Sequence, residues 1–263
     1  MDFLLSTGSV HHLDPETAFW VARYARFDGV EVIIDSRMVE VGVAGVARFA
    51  QQYQMPVRHI HAPLTVVAEW GGYWERVRRS LAWARGLGAR LLVLHPDPSL
   101  RGLWRRRRDF AQRLVHLHAA AAEHQIAVAL ENLPRSANPV RQFRQGLGRF
   151  ESVVSLAREA GVKMTFDTTH LGTWGTALVP AFRRAHGLVA NLHLSDYAAG
   201  RRHLLPKHGT LPLADLLTTA HQVGYTGPIV LEVCPEVLQH GPPDAVLPPL
   251  IRARKWIKRH AGR

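Results

Sequence analysis

Short apolar runs recur along the chain, and between them apolar and polar positions alternate with helical spacing. The runs are FLLSTG (3–8), VEVIID (30–35), VRHIHAP (57–63), RLLVLHP (90–96), IAVALEN (126–132), VKMTFD (162–167), VANLHLSD (189–196) and PIVLEV (228–233). Each is short and rich in leucine or β-branched residues, the pattern of a strand buried on both faces. The intervening stretches carry helix ends. LDPETAFWVARYAR offers Asp14 as N-cap and Pro15 at the first helical position. WERVRRSLAWARGLG and FESVVSLAREAG stop at glycines, and PLADLLTTAHQVG opens at Pro212 and closes at Gly224. Eight strand–helix beats in 263 residues predict an α/β fold, a single (β/α)8 barrel, with its site at the carboxyl ends of the strands. A doubly wound open sheet uses the same units, but no G-x-G-x-x-G follows the first run. No linker or composition break divides the chain, so one domain is expected over residues 1–263.

Composition adds limits. A hydrophobic content of 47% can fill a substantial core. No run reaches the roughly 20 apolar residues that span a bilayer, and MDFLLSTGSVHH lacks the basic and long apolar regions of a signal peptide. Cys234 is the one cysteine, so no intramolecular disulfide forms; a cytoplasmic location and no membrane partner are expected. The net charge of +12 admits nucleic acid or a phosphorylated ligand as partner. Yet only four of the 33 basic residues are lysines, a skew that coding bias explains as readily as a partner does. The run RGLWRRRRDFAQR (101–113) is expected to be the exposed start of the fourth helix.

The ends of the runs carry the candidate chemistry. His61 closes the third, His95 the fourth, Glu131 the fifth, Asp167 the sixth, His193 the seventh and Glu232 the eighth. Taken singly, such a histidine is more often a satisfied buried imidazole, and Asp167 the N-cap of the following helix. Recurrence in phase points instead to groups that barrel closure brings to one rim. Glu131, Asp167, His193 and Glu232 make a mostly oxygen site with one nitrogen, suited to one divalent metal, Mn, Mg, Co or Zn. Three carboxylates at one mouth repel unless a dication neutralises them. Asp196, in HLSD, is assigned to hold the imidazole or a loop arginine from behind. Glu31, in GVEVII, falls at the rim or in the lower barrel with no role assigned. Lys207 and His208 lie in a loop beyond the seventh run, and Trp104 and Trp174 are candidate pocket walls.

Taken together in order and spacing, HAP (61–63), LVLHP (92–96), ALENL (129–133), FDTTH (166–170), NLHLSD (191–196), HLLPKHGTLP (203–212) and VLEV (230–233) resemble a known family. It is the xylose-isomerase-like TIM barrels, which include sugar and sugar-phosphate isomerases and epimerases and the TIM-barrel apurinic/apyrimidinic endonucleases. Resemblance to the isomerases implies one divalent metal on Glu131, Asp167, His193 and Glu232. It implies Glu131 and Glu232 as the catalytic acid/base pair, working through a metal-stabilised enediolate on a small sugar or polyol substrate, with His170 at substrate hydroxyls. Resemblance to the endonucleases implies the alternative, a zinc phosphodiesterase acting on abasic DNA. Its three-zinc set draws on His61, His95, Glu131, Asp167, His170, His193, His203 and Glu232. The ninth ligand of that set falls on Arg201, and the tyrosine expected after HAP is Leu64. Where several epimerases have an arginine and G-E-G, this chain has His203 and Lys207-His208-Gly209. His61, His95, His170 and His203 are accordingly expected to bind substrate or a second metal. Such barrels often form homo-oligomers, and no interface stripe stands out.

Overall fold

Parallel strands close into a barrel because each short apolar run is followed by a helix long enough to return the chain to the same end. In a computed structural model, residues 1–64, 67–97, 104–136 and 148–262 are described, with 68 and 104–106 described by backbone alone. The barrel strands are β1 (Phe3–Ser6), β2 (Gly29–Ile33), β3 (Val57–His61), β4 (Leu91–Leu94), β5 (Ala127–Glu131), β6 (Lys163–Asp167), β7 (Val189–Leu194) and β10 (Ile229–Leu231). Each pairs in parallel with its neighbours in chain order, and β10 closes on β1. The helices are α1 (Pro15–Tyr24), α2 (Ser36–Gln52), α3 (Tyr73–Leu87), α4 (Trp104–Ala122), α5 (Phe150–Ala160), α6 (Thr168–Thr173), α7 (Leu178–Ala185), α8 (Leu213–Gln222) and α9 (Pro243–Ala261).

The helix ends form as their residues dictate. Asp14 accepts from the Thr17 amide at the start of α1, with Pro15 behind it. Gly88 and Gly161 end α3 and α5 in the left-handed conformation that a side chain would strain. The run 101–113 does enter α4, but residues 101–103 and the Trp104 side chain lie outside the described residues. Arg107 is tied to Glu159 at 2.5 Å, so part of that run is paired with α5 rather than free in solvent.

Strand residues alternate between two environments. Leu92, Leu94, Val128, Leu130, Phe166, Leu192 and Leu194 face out and pack with the helices around Phe19, Phe110 and Phe182. Leu91, Val93 and Ala129 face in and form a small separate cluster with Ala127 and Ala190. Leu4 and Val230 share that interior, and other inward positions are polar and buried: Glu31, His59, His61, Glu131, Thr165, Asp167, Asn191 and His193. Unpaired, each would cost about 1–3 kcal/mol or more, so the barrel interior is stable only if these groups satisfy one another.

One run ends early. VANLHLSD was expected as strand through Asp196, but β7 stops at Leu194. The Thr168 hydroxyl donates to the Ser195 carbonyl at 2.6 Å and accepts from the Ser195 amide at 3.0 Å, which diverts the chain. Asp196 then opens an antiparallel hairpin of β8 (Asp196–Ala198) and β9 (Arg201–Leu204), where a plain loop was expected.

Candidate metal centre

The six run-ending residues meet. Glu131, Asp167, His193 and Glu232 each present a donor atom within 4.8 Å of the others. Glu131 and Asp167 end their strands, His193 lies one residue inside the end of β7, and Glu232 follows β10 directly. His193 Nδ1 is 2.7 Å from Glu232 Oε2, 3.5 Å from Glu131 Oε1 and 3.9 Å from Asp167 Oδ2. Two further donor groups adjoin this one: His61 and His95 with Glu131, and His170 and His203 with Asp167. His61 Nε2 and His95 Nε2 reach Glu131 Oε2 at 3.0 and 3.2 Å, and His170 Nδ1 reaches Oε1 at 3.1 Å.

The stretch DTTH accounts for much of this placement. Asp167 is an N-cap, as its isolated reading allows: Oδ1 accepts from the His170 amide at 2.6 Å. Its other oxygen, Oδ2, is buried without a hydrogen-bond partner and remains for the centre. Thr169 donates to the Asp196 carbonyl at 2.9 Å, so both threonines staple α6 to the segment after β7. Asn132 locks β5 to β6 reciprocally, accepting from the Asp167 amide and donating to its carbonyl, both at 3.0 Å. Neither the threonines nor Asn132 stand out by residue type; only their burial between two strand ends identifies them.

Burial raises the Glu131 carboxyl, but the charges of the His193 and His95 imidazoles, with His170 close by, outweigh it and hold the group well below the usual carboxylate range. Glu232 is likewise held low against burial, chiefly by His193. Burial, reinforced by the other two carboxylates, pushes Asp167 up despite His170 and His203. Burial works against the imidazolium form of His193, yet Glu31, Glu232 and Glu131 raise it well above its ordinary value. For His170 the same opposition, with Asp167 the main carboxylate, ends at about 9. His95 is lowered by burial. The cluster therefore gathers carboxylates that imidazolium protons hold together, and a divalent cation would replace those protons. The donor set fits such a cation: one nitrogen and three carboxylates, with His193 Nδ1 and Asp167 Oδ2 both buried and lacking hydrogen-bond partners.

Two residues depart from expectation. Asp196 holds neither an imidazole nor an arginine. Its Oδ1 accepts from the amides of Tyr197 and Leu211, and its Oδ2 from those of Lys207 and Gly209, at 2.9–3.1 Å. A carboxylate in a turn finds backbone N–H groups closer than any side chain, and here it shapes the loop that follows the hairpin. Glu31 had no role assigned; it is fully buried beneath the centre, with Asn191 Nδ2 at 3.0 Å, His59 Nδ1 at 3.2 Å and His193 Nε2 at 2.9 Å. An acid inside an otherwise apolar strand run was the available signal for it. Trp174 donates to the Leu133 carbonyl at 2.9 Å and packs under Arg149, anchoring its own loop. Lys207 and His208 are exposed on a separate cavity rather than at the centre.

A cleft of about 420 Å³ opens beside Glu232 and His203. Its wall is largely apolar, with Ile33, Met38, Leu64, Val233 and Cys234 among the lining. The Glu232 side chain is 13% exposed and that of His95 30%, whereas Glu131 is at 1%. A small molecule entering the mouth thus meets Glu232 and His95 before Glu131.

The chain is similar to several known proteins. It is 30% identical to an uncharacterized protein of Mycobacterium tuberculosis over 251 residues, 87% of each chain. It is 28% identical over 133 residues to the D-psicose 3-epimerase of Enterocloster bolteae, covering 49% of this chain and 40% of that one. The structure of D-allulose 3-epimerase from Methylomonas sp. in complex with D-allulose superposes with a TM-score of 0.76 at 16% identity, covering 99% of this chain and 97% of that one. Residues 20–260 match the family model described as xylose isomerase-like TIM barrel. With the closed barrel and that match over most of its length, the chain belongs to the xylose isomerase-like TIM-barrel family.

Proposed function

We propose that the protein is a divalent-metal-dependent isomerase or epimerase of a sugar or related ketose, with its cation held by Glu131, Asp167, His193 and Glu232. The observation that carries this reading is the meeting of two glutamates, an aspartate and an imidazole at the barrel mouth, with two of their buried donor atoms left without hydrogen bonds. The epimerases among the similar proteins support it. A bound dication would supply Lewis-acid polarisation of a substrate carbonyl and neutralise charge developing on the adjacent oxygen. Glu232, facing the cleft, takes or returns the proton on the open side of the substrate. Glu131 serves as the opposing base from beneath, its charge secured by the ring of His61, His95, His170 and His193. His95 and His170 present ring nitrogens beside Glu131, positioned to bind substrate hydroxyls.

The test is proton exchange. Protein supplied with Mn²⁺ and a panel of ketoses in D₂O is expected to place deuterium at the epimerised carbon, read by NMR. Product that keeps all its original hydrogen there, or no turnover of any ketose, overturns the proposal. Glu131→Gln and Glu232→Gln should each lose activity, and metal analysis of the same samples is needed because either change also removes a ligand.

One observation favours a second reading, hydrolysis of abasic DNA. The two flanking donor groups share Glu131 and Asp167 with the central one, so three adjoining sets exist. Arg201, at the ninth-ligand position of the endonuclease pattern, is exposed and cationic. Elemental analysis distinguishes the readings: about one metal per chain accords with the epimerase, and about three, with nicking of an abasic duplex, accords with the phosphodiesterase.

A further inference from the structure

Glu31 is expensive where it stands. Interior layers of such barrels are ordinarily filled by apolar side chains, and an ionised carboxylate withdrawn from water is costly until its partners compensate. The bulged register at Val30/Glu31 sets it opposite His59. Three side-chain donors converge on it: Asn191 Nδ2, His59 Nδ1 and His193 Nε2. The His193 nitrogen lies in the bite of the carboxylate, 2.9 Å from Oε1 and 3.2 Å from Oε2. Asn191 and His59 are themselves buried, inward-facing polar residues. Of the three partners, only His193 also reaches the candidate centre, through the opposite edge of its ring.

A carboxylate that accepts from Nε2–H fixes which imidazole nitrogen keeps its hydrogen and which offers its lone pair. Once a cation displaces the second ring proton, the lone pair belongs to Nδ1, the atom that faces Glu131, Asp167 and Glu232. We infer that Glu31, supported by His59 and Asn191, is a positioning residue that holds the His193 ring with Nε2–H toward the barrel interior and Nδ1 toward the carboxylates, and so sets the affinity of the centre for a divalent cation. The inference rests on the metal-dependent reading proposed above and extends it to a residue outside the ligand set. The competing account is a polar group that only satisfies its neighbours in the core.

The two accounts separate in a cation-binding experiment with the whole chain. Co²⁺ is the probe, its dissociation constant measured by competition with a chromophoric chelator, alongside the visible spectrum of the cobalt complex and the Tm of the metal-free protein. Glu31→Gln keeps the shape of the side chain and removes its charge. It is expected to weaken Co²⁺ binding by about 10–100-fold and to shift the cobalt spectrum, with metal-free Tm held or raised. His59→Gln, which removes only one support, is expected to act in the same direction by about 3–10-fold on the same grounds. Should Glu31→Gln fail to fold, the His59→Gln measurement decides. Unchanged Co²⁺ affinity in a folded variant overturns the inference while leaving the metal-dependent reading standing. A wild-type protein that binds no divalent cation overturns both.

Discussion

Asp196 shows how one side chain shapes the mouth. Its two oxygens take four backbone amides, from Tyr197, Lys207, Gly209 and Leu211. Any Cβ at Gly209 would run into that carboxylate and the Tyr197 carbonyl, so glycine is required by close approach. Asp196→Ala strands four partly buried amides and is expected to cost about 1–3 kcal/mol, measured by urea unfolding, with Asp196→Asn milder because it keeps one acceptor. Cys234 offers a second expectation at this scale. Burial, with Glu236 nearby, pushes its thiol up to about 11. Its thiolate is then about 100-fold scarcer at pH 8 than that of an ordinary cysteine. Alkylation by iodoacetamide should be correspondingly slow and quicken toward pH 11; fast labelling at pH 7.5 would contradict the placement.

At the scale of elements, α2 and α1 carry opposite lessons. Helix α2 is broken at Gly42, with φ 70° and ψ 168°, a region essentially closed to residues bearing a Cβ. No atom lies within 4 Å of the Cβ position, so the cost of Gly42→Ala is purely backbone strain. It should be about 1–3 kcal/mol, visible as a lowered Tm without altered metal binding. Helix α1 depends on its cap. Burial alone would raise Asp14, but the Thr17 hydroxyl and amide more than offset it and leave the carboxyl below its ordinary 3.8. A lowered folded value means the cap contributes fully above the unfolded pKa and is lost as pH falls through the folded one. Asp14→Ala should therefore cost about 1 kcal/mol at pH 7, and the difference from wild type should shrink below pH 4 in parallel unfolding curves.

Over the whole molecule, the candidate ligands come from β5, β6, β7 and the residue after β10, joined only when the barrel closes. An unfolded chain has no such site, so a cation binding the folded state adds stability by mass action. At 100 times its dissociation constant a divalent cation is expected to add about 2.7 kcal/mol, or a Tm rise of about 5–10 °C for a chain of this size. EDTA should reverse the rise; a Tm indifferent to Mn²⁺, Co²⁺ and Zn²⁺ would count against the centre. Part of the +12 charge lies away from that centre. Lys207, Arg252, Lys255 and Arg259 line an outer cavity of about 1060 Å³ between α9 and the loop after the hairpin. Among the described residues, no helix is long and apolar enough to cross a membrane.

Local patterning in the chain was enough to determine the beat of strands and helices, because burial on both faces leaves strands nearly continuous in apolar residues and helix ends need particular caps. It also identified the six run-ending groups, since an ionisable residue closing one apolar run after another is visible without coordinates. Closure of the barrel decided the rest. Glu31, His59 and Asn191 belong to one hydrogen-bonded group only because β2, β3 and β7 are curved around a common interior. Asp196 turned from the imidazole to the loop because the Thr168 hydroxyl ends β7 two residues earlier, a contact between positions 27 residues apart. Distances of that kind are set by packing, and no spacing along the chain encodes them.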